Sequence, residues 1–194
     1  MKICLLGSQG TGKSTLVNSF KEQYRVVDGI ARNVIAHGGA SNQTGDSYSQ
    51  RRIFNDYKEA LRGDYLSTRS MIDVYAYTQY LVQHYELVPY NPFSIGEYLL
   101  LKIELRRELY LIKRWLIKNP DVIICYIPIE FDLVEDGVRS LNKEYQRAID
   151  RNMNDIFCKL ILSCYISRGY TITGSLQDRI AHLKRIINID QYNI

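Results

Sequence analysis

Proline and tryptophan are scarce in this chain, at four and one in 194 residues. So few prolines leave long helices uninterrupted, because an interior proline removes a backbone donor and clashes with the preceding turn. Long hydrophobic runs are missing as well. Nothing approaches the ~20 apolar residues of a bilayer-crossing helix, and the first apolar stretch, Ile3-Cys4-Leu5-Leu6, is too short for a signal peptide. A soluble, cytoplasmic protein with no membrane partner is expected. Cys4, Cys125, Cys158 and Cys164 form no C-x-x-C pair, so reduced, buried thiols are expected rather than a metal knuckle or redox motif. Charge of one sign is lacking too: 25 Lys and Arg mix with 21 Asp and Glu for a net +4. That balance suits an anionic ligand. It falls short of a concentrated basic field, and no aromatic-and-basic array accompanies it, so nucleic acid is not an expected partner. The 16 tyrosines are scattered, as packing residues with wet hydroxyls would be. No internal repeat or low-complexity tract divides the chain, and its length predicts one domain over residues 1–194.

What the chain does have begins at residue 7. Gly7-Ser8-Gln9-Gly10-Thr11-Gly12-Lys13-Ser14 fits G-x-x-x-x-G-K-[ST], between the strand-like run Ile3–Leu6 and a helical pattern with Leu16 and Phe20 four apart. Strand, glycine loop and helix come in the order that lets backbone N–H groups curl around a β-phosphate at a helix N-terminus. Lys13 would reach the β- and γ-phosphates and Ser14 would offer its hydroxyl to Mg²⁺. Ser8, Gln9, Thr11 and Thr15 would line the loop. ATP or another nucleoside triphosphate, with Mg²⁺, is the expected cofactor.

Further strands are predicted at 24–27, 65–68, 122–127 and 170–173, and helices at 30–35, 47–62, 71–81, 94–118, from about 141 to 166, and after Gly174-Ser175. The longest helix, 94–118, is expected to be a central scaffold. Strands alternating with helices predict an α/β P-loop NTPase fold, with a mostly parallel sheet of about five strands and helices on both faces. Ligands of such sheets sit at the carboxyl ends of the strands, so Gly7, Asp28, Thr68, Pro128 and Gly174 should converge on one edge.

Other absences narrow the kind of nucleotide protein. No Asp has Gly three residues later, and Asn142-Lys143 is followed by Glu144-Tyr145 rather than by the Asp of N-K-x-D. A GTPase switch is therefore not expected. Nor does any apolar strand end in Asp-Glu, and the chain is short for a ring motor with a helical subdomain. A small kinase plan remains. The chain resembles the nicotinamide-riboside kinase family and related phage ATPase/kinase proteins at Gly7–Thr15, Asp28-Gly29-Ile30-Ala31-Arg32, Thr68-Arg69-Ser70-Met71-Ile72-Asp73, Pro128-Ile129-Glu130-Phe131, Asp136-Gly137-Val138-Arg139-Ser140, and Gly174-Ser175 before Arg179. The resemblance implies ATP-dependent phosphoryl transfer to a nucleoside, nucleotide or nicotinamide riboside, with a lid over about 129–152. Oligomeric state is not readable.

Residue by residue, Asp28 either orients or deprotonates an acceptor hydroxyl or caps the helix starting near Ile30. Arg32 either holds the acceptor or pairs with Asp28 at the surface. Arg139 is the lid candidate, its guanidinium closing onto the transferred phosphoryl group. Arg69, Asp73 and Asp136 are carried over as acceptor contacts, Asp136 alternatively fixing the turn at Gly137. Lys143, Arg147 and Arg151 read as a solvated stripe paired with Glu144, Asp150 and Asp155. The departure is Thr68, where the family usually has Asp or Glu. A hydroxyl is a weaker Mg²⁺ ligand, and Asp64 would lie about 13 Å back along the strand. That departure keeps open a second reading, a nucleotide-binding regulatory protein with little or no kinase activity.

Overall fold

A computed structural model of the chain describes residues 1–38, 45–131 and 142–192. Five short strands pair in parallel throughout: β1 (Lys2–Leu6), β2 (Val26–Val27), β3 (Tyr65–Ser67), β4 (Ile123–Tyr126) and β5 (Arg168–Thr171), in the order β2-β3-β1-β4-β5. The protein is an α/β P-loop NTPase fold. After β1 the chain builds toward β2 and β3 on one side, then crosses to β4 and β5 on the other. The tip of β1 is thus the topological switch point, where a crevice opens, and it carries Gly7.

Alternation along β1 builds two cores at once, because successive side chains of a strand point to opposite faces. Ile3 and Leu5 pack with Leu16, Val17, Leu183, Ile186 and Ile187 from α1 (Lys13–Asn18) and α7 (Leu176–Tyr192). Cys4 and Leu6 face the other way, onto a cluster fed by α3 (Ser47–Ala60), α4 (Met71–Gln83) and α6 (Lys143–Leu162). Both faces of the central strand are sealed, as a parallel sheet requires. The remaining helices are α2 (Ile30–Ala36) and α5 (Pro92–Lys118).

Three expectations are corrected. The last strand lies at Arg168–Thr171 rather than 170–173, since its tip must stop level with Tyr126, the partner of Thr171. The long helix α5 is not central. It packs on α3 and α4, burying Leu101, Ile112 and Leu116 and leaving Leu99, Ile103, Tyr110 and Ile117 exposed. Cys4 and Cys125 are buried in strands, but Cys158 and Cys164 are exposed thiols. Among the described residues, no helix is long and apolar enough to cross a membrane.

Candidate phosphate and acceptor site

The loop after β1 closes so tightly that only glycine fits at its start. A Cβ on Gly7 would stand 2.5 Å from the Ile127 carbonyl oxygen at the tip of β4. Gly10 (φ 76°) and Gly12 (φ 82°) occupy the left-handed region that glycine enters without strain. Lys13 is 6% exposed and folds back over the loop, donating to the carbonyls of Gly7 (2.5 Å) and Ser8 (2.6 Å) and to Thr11 Oγ1 (3.0 Å). Ser8, Gln9 and Thr11 are buried, Ser14 is half-buried, and Thr15 faces solvent.

Two side chains from distant elements aim this loop. Gln146 Nε2 on α6 donates to the Gln9 carbonyl at 2.7 Å, and Arg179 Nη1 on α7 donates to the Thr11 carbonyl at 2.5 Å. In a trans peptide the carbonyl and the next N–H point in opposite directions. Holding those two carbonyls outward therefore turns the N–H groups of Gly10 and Gly12 the other way, as donors for an anion. Arg179 is 2% exposed and also donates to the Gly174 carbonyl (2.9 Å) and the Glu130 carboxylate (2.5 Å), with its guanidinium 4.9 Å from the Phe131 ring centre. Glu130 in turn accepts the Gly174 N–H at 2.8 Å. The tips of β1, β4 and β5 are thus tied through one cation.

On the other side of β1, the tips of β2 and β3 meet. Thr68 Oγ1 donates to Asp28 Oδ1 at 2.5 Å, and the Gly29 N–H donates to the same oxygen at 2.7 Å. Burial alone would raise the Asp28 carboxyl. The donors Thr68, Gly29 and Ser14, with Arg32 nearby, outweigh it and hold the group below the usual carboxylate range. Asp28 does not cap α2, whose N-cap is Gly29 at φ 79° with no side-chain cap bond. Arg32 is exposed on the first turn of that helix.

Asp73 lies deeper. It is 1% exposed and closes a capping box, accepting from the Ser70 N–H at 2.7 Å and the Ser70 hydroxyl at 3.3 Å. Its Oδ1 is buried without a hydrogen-bond partner. Desolvation pushes its carboxyl up to about 6, opposed by the charges of Lys13 and Arg69. Asp73 and Arg69 also line a small cleft with Ala31, Gln50, Tyr57 and Tyr77, the Arg69 guanidinium lying 5.2 Å from the Tyr77 ring centre.

One carboxylate near the loop was missed by sequence reasoning. Asp150 is not part of the solvated stripe formed by exposed Lys143, Arg147 and Arg151. It is half-buried and accepts from Tyr126 Oη at 3.0 Å. Its carboxyl is raised by desolvation, against the pull of Tyr126 and the Lys13 charge. Its spacing four residues after Gln146, on the buried face of α6, was the available signal. Arg139 and Asp136 lie outside the described residues, as does residues 132–141 of the expected lid.

Among the described residues no cluster of three or more His, Cys, Asp or Glu could hold a metal ion. The oxygens at the loop, from Ser14, Thr68 and Asp28, are of the hard type that suits Mg²⁺ when phosphates and water complete the shell.

A family model described as AAA domain matches residues 2–179. Among solved structures, NadR protein in complex with NR has a TM-score of 0.65 at 16% sequence identity, covering 95% of this chain and 50% of that one. The chain therefore spans about half the length of that neighbour, and the likeness is one of fold. No curated protein matches the chain.

Proposed function

Because the chain belongs to the AAA domain family and carries its phosphate loop at the sheet's switch point, we propose that it transfers the γ-phosphoryl group of ATP to a hydroxyl or phosphate of a small acceptor. Nucleosides, nucleotides and nicotinamide riboside are the acceptor class, the last supported by the NR complex of the fold neighbour. The observation that carries this reading is the position of Asp73 and Arg69. Both line the aromatic cleft, and Asp73 also feels the charge of Lys13 at the loop as well as that of Arg69. Donor cradle and acceptor cleft thus share a wall, as in-line transfer requires. The family name alone does not imply a ring motor, since β3 runs into Ser67-Thr68-Arg69 and β4 into Tyr126-Ile127-Pro128, neither with Asp-Glu.

In this reading residues 1–194 act as one kinase-like unit. Lys13 leaves the Gly7 and Ser8 carbonyls to bind β- and γ-phosphate oxygens, Ser14 holds Mg²⁺, and Arg139 closes over the transferred group. Bound Mg²⁺ would neutralise phosphate charge. Asp28 and Arg32 orient the acceptor at the mouth of the cleft, Arg69 and Asp73 form its floor, and Asp136 borders it.

The test is a mass-spectrometric screen of ATP-Mg²⁺ with nucleosides, nucleoside monophosphates and nicotinamide riboside, with Lys13→Ala as control. Transfer to one acceptor class, abolished in the variant, is expected. Lys13 is buried and bonded, so the control is read only alongside its melting curve. A second reading, a nucleotide-binding regulatory protein, is motivated by Thr68. Tight nucleotide binding with no acceptor turned over would favour it.

A further inference from the structure

The tip of β3 lacks the carboxylate that would steady a cation beside the phosphate loop, and the neighbouring strand tip supplies one. Thr68, 2% exposed, points its hydroxyl at Asp28 rather than into the crevice. The Gly29 N–H shares the same oxygen of Asp28, and Ser14 follows Lys13 in the first turn of α1. The three oxygen-bearing side chains come from α1, β2 and β3, and none serves a helix cap: the N-cap of α1 is Gly12 and that of α2 is Gly29.

We propose that Asp28 is the protein carboxylate of a divalent-cation site shared with Ser14, and that Thr68 is the positioning residue that fixes its orientation. The assignment rests on nucleotide binding as proposed above, because Mg²⁺ keeps several waters and takes one or two carboxylates beside substrate phosphates. Asp28 has the right chemistry. Thr68 and Gly29 both donate to Oδ1, and fixing one oxygen limits the rotation of the other, as outer partners of metal ligands do. Two other carboxylates lie near the loop, and each gives one oxygen to a donor of its own, Asp73 to Ser70 and Asp150 to Tyr126, whereas Asp28 is the one tied to both the β2 and β3 tips. The Thr68 departure then moves the carboxylate by one strand rather than removing it.

Calorimetric ATP binding with Mg²⁺ or with EDTA, and Mn²⁺ electron paramagnetic resonance of the nucleotide complex, test the assignment. Asp28→Asn should weaken Mn²⁺ by more than the about 10–100-fold that loss of an outer partner costs, and abolish the Mg²⁺ enhancement of ATP binding, while ATP affinity in EDTA holds. Thr68→Val should lose part of the same enhancement. The double variant Asp28→Asn with Thr68→Asp, which returns the carboxylate to β3, should recover it. Wild-type Mn²⁺ affinity in Asp28→Asn would overturn the proposal. If that variant does not fold, an unchanged Mn²⁺ affinity in Thr68→Val overturns it equally. These are binding readouts, so a protein that phosphorylates no acceptor fails the proposed function and still decides the cation site.

Discussion

Replacing Arg179 with Met keeps an apolar stem of similar length and removes the guanidinium that ties three strand tips together. The loss can be worked from its partners. Arg179 donates to the Thr11 and Gly174 carbonyls and to Glu130, and a bond involving a charged group contributes about 1.5–3 kcal/mol. Breaking a buried ion pair costs about 3–5 kcal/mol when the remaining charge is stranded. Glu130 is not stranded, because its side chain is 29% exposed and regains water. The lower end applies, about 3 kcal/mol, equivalent to a fall of about 6–12 °C in Tm for a chain of this size. Arg179→Lys keeps the charge without the planar fork and should lose about half as much. Nucleotide affinity gives the second readout. With the Thr11 carbonyl released, the Gly12 N–H is no longer aimed, so ATP should bind about tenfold more weakly, the worth of one modest hydrogen bond. Thermal melts by circular dichroism and calorimetric ATP titration check both. An Arg179→Met protein that melts within about 2 °C of wild type would refute the tie between the three strand tips.

Gly7→Ala places a methyl group 2.5 Å from the Ile127 carbonyl oxygen, whereas ordinary carbon–oxygen contacts start near ~3.3 Å. Ile127 is held by its own N–H on the Leu6 carbonyl at 2.7 Å, so the strand tips must part, costing about 1–3 kcal/mol; wild-type melting and ATP affinity in this variant would contradict the close approach. Asp73 predicts a pH signature. Its folded carboxyl sits at about 6 against an ordinary 3.8, so the folded state retains a proton that the unfolded chain has released. The resulting stability is full below about pH 4 and is lost as pH rises through 6, by about 3 kcal/mol. Asp28, held low, works in the opposite sense. In urea melts from pH 4 to 8, Asp73→Asn should therefore gain on wild type as pH rises, and a difference independent of pH would show that Asp73 ionises normally.

The phosphate loop and the sheet were legible because both are local statements. The glycine spacing of residues 7–14 fixes a backbone shape, and the β-rich runs Ile3–Leu6 and Val122–Ile127 carry their own burial. The convergence of the strand tips followed from the parallel sheet, but the side-chain pairings between distant segments were not legible. Asp150 looked like a partner of a polar stripe because Arg147 and Arg151 beside it are solvated, and Gln146 carried no signal of its own. Only the tertiary placement of α6 turns Gln146 onto Gln9 and Asp150 onto Tyr126. Arg179 was legible as part of the motif after Gly174-Ser175, but its role was not until Glu130 and Thr11 were brought to it across 49 and 168 residues of chain.

Thr68 is the instructive case, since its sequence reading depended on what a strand tip usually carries. A hydroxyl at that point reads as the loss of a cation ligand only if the tip is considered alone. The register that sets Val27 beside Ser67 places Asp28 beside Thr68, and the short side chain then becomes what a longer acid could not be. Asp or Glu at 68 would set a second negative charge against Asp28 at hydrogen-bonding distance, raising one of the two carboxyls instead of holding Asp28 ionised. A neutral donor at residue 68 and an acid at residue 28 are therefore one feature, whose physical sense lies in the pair.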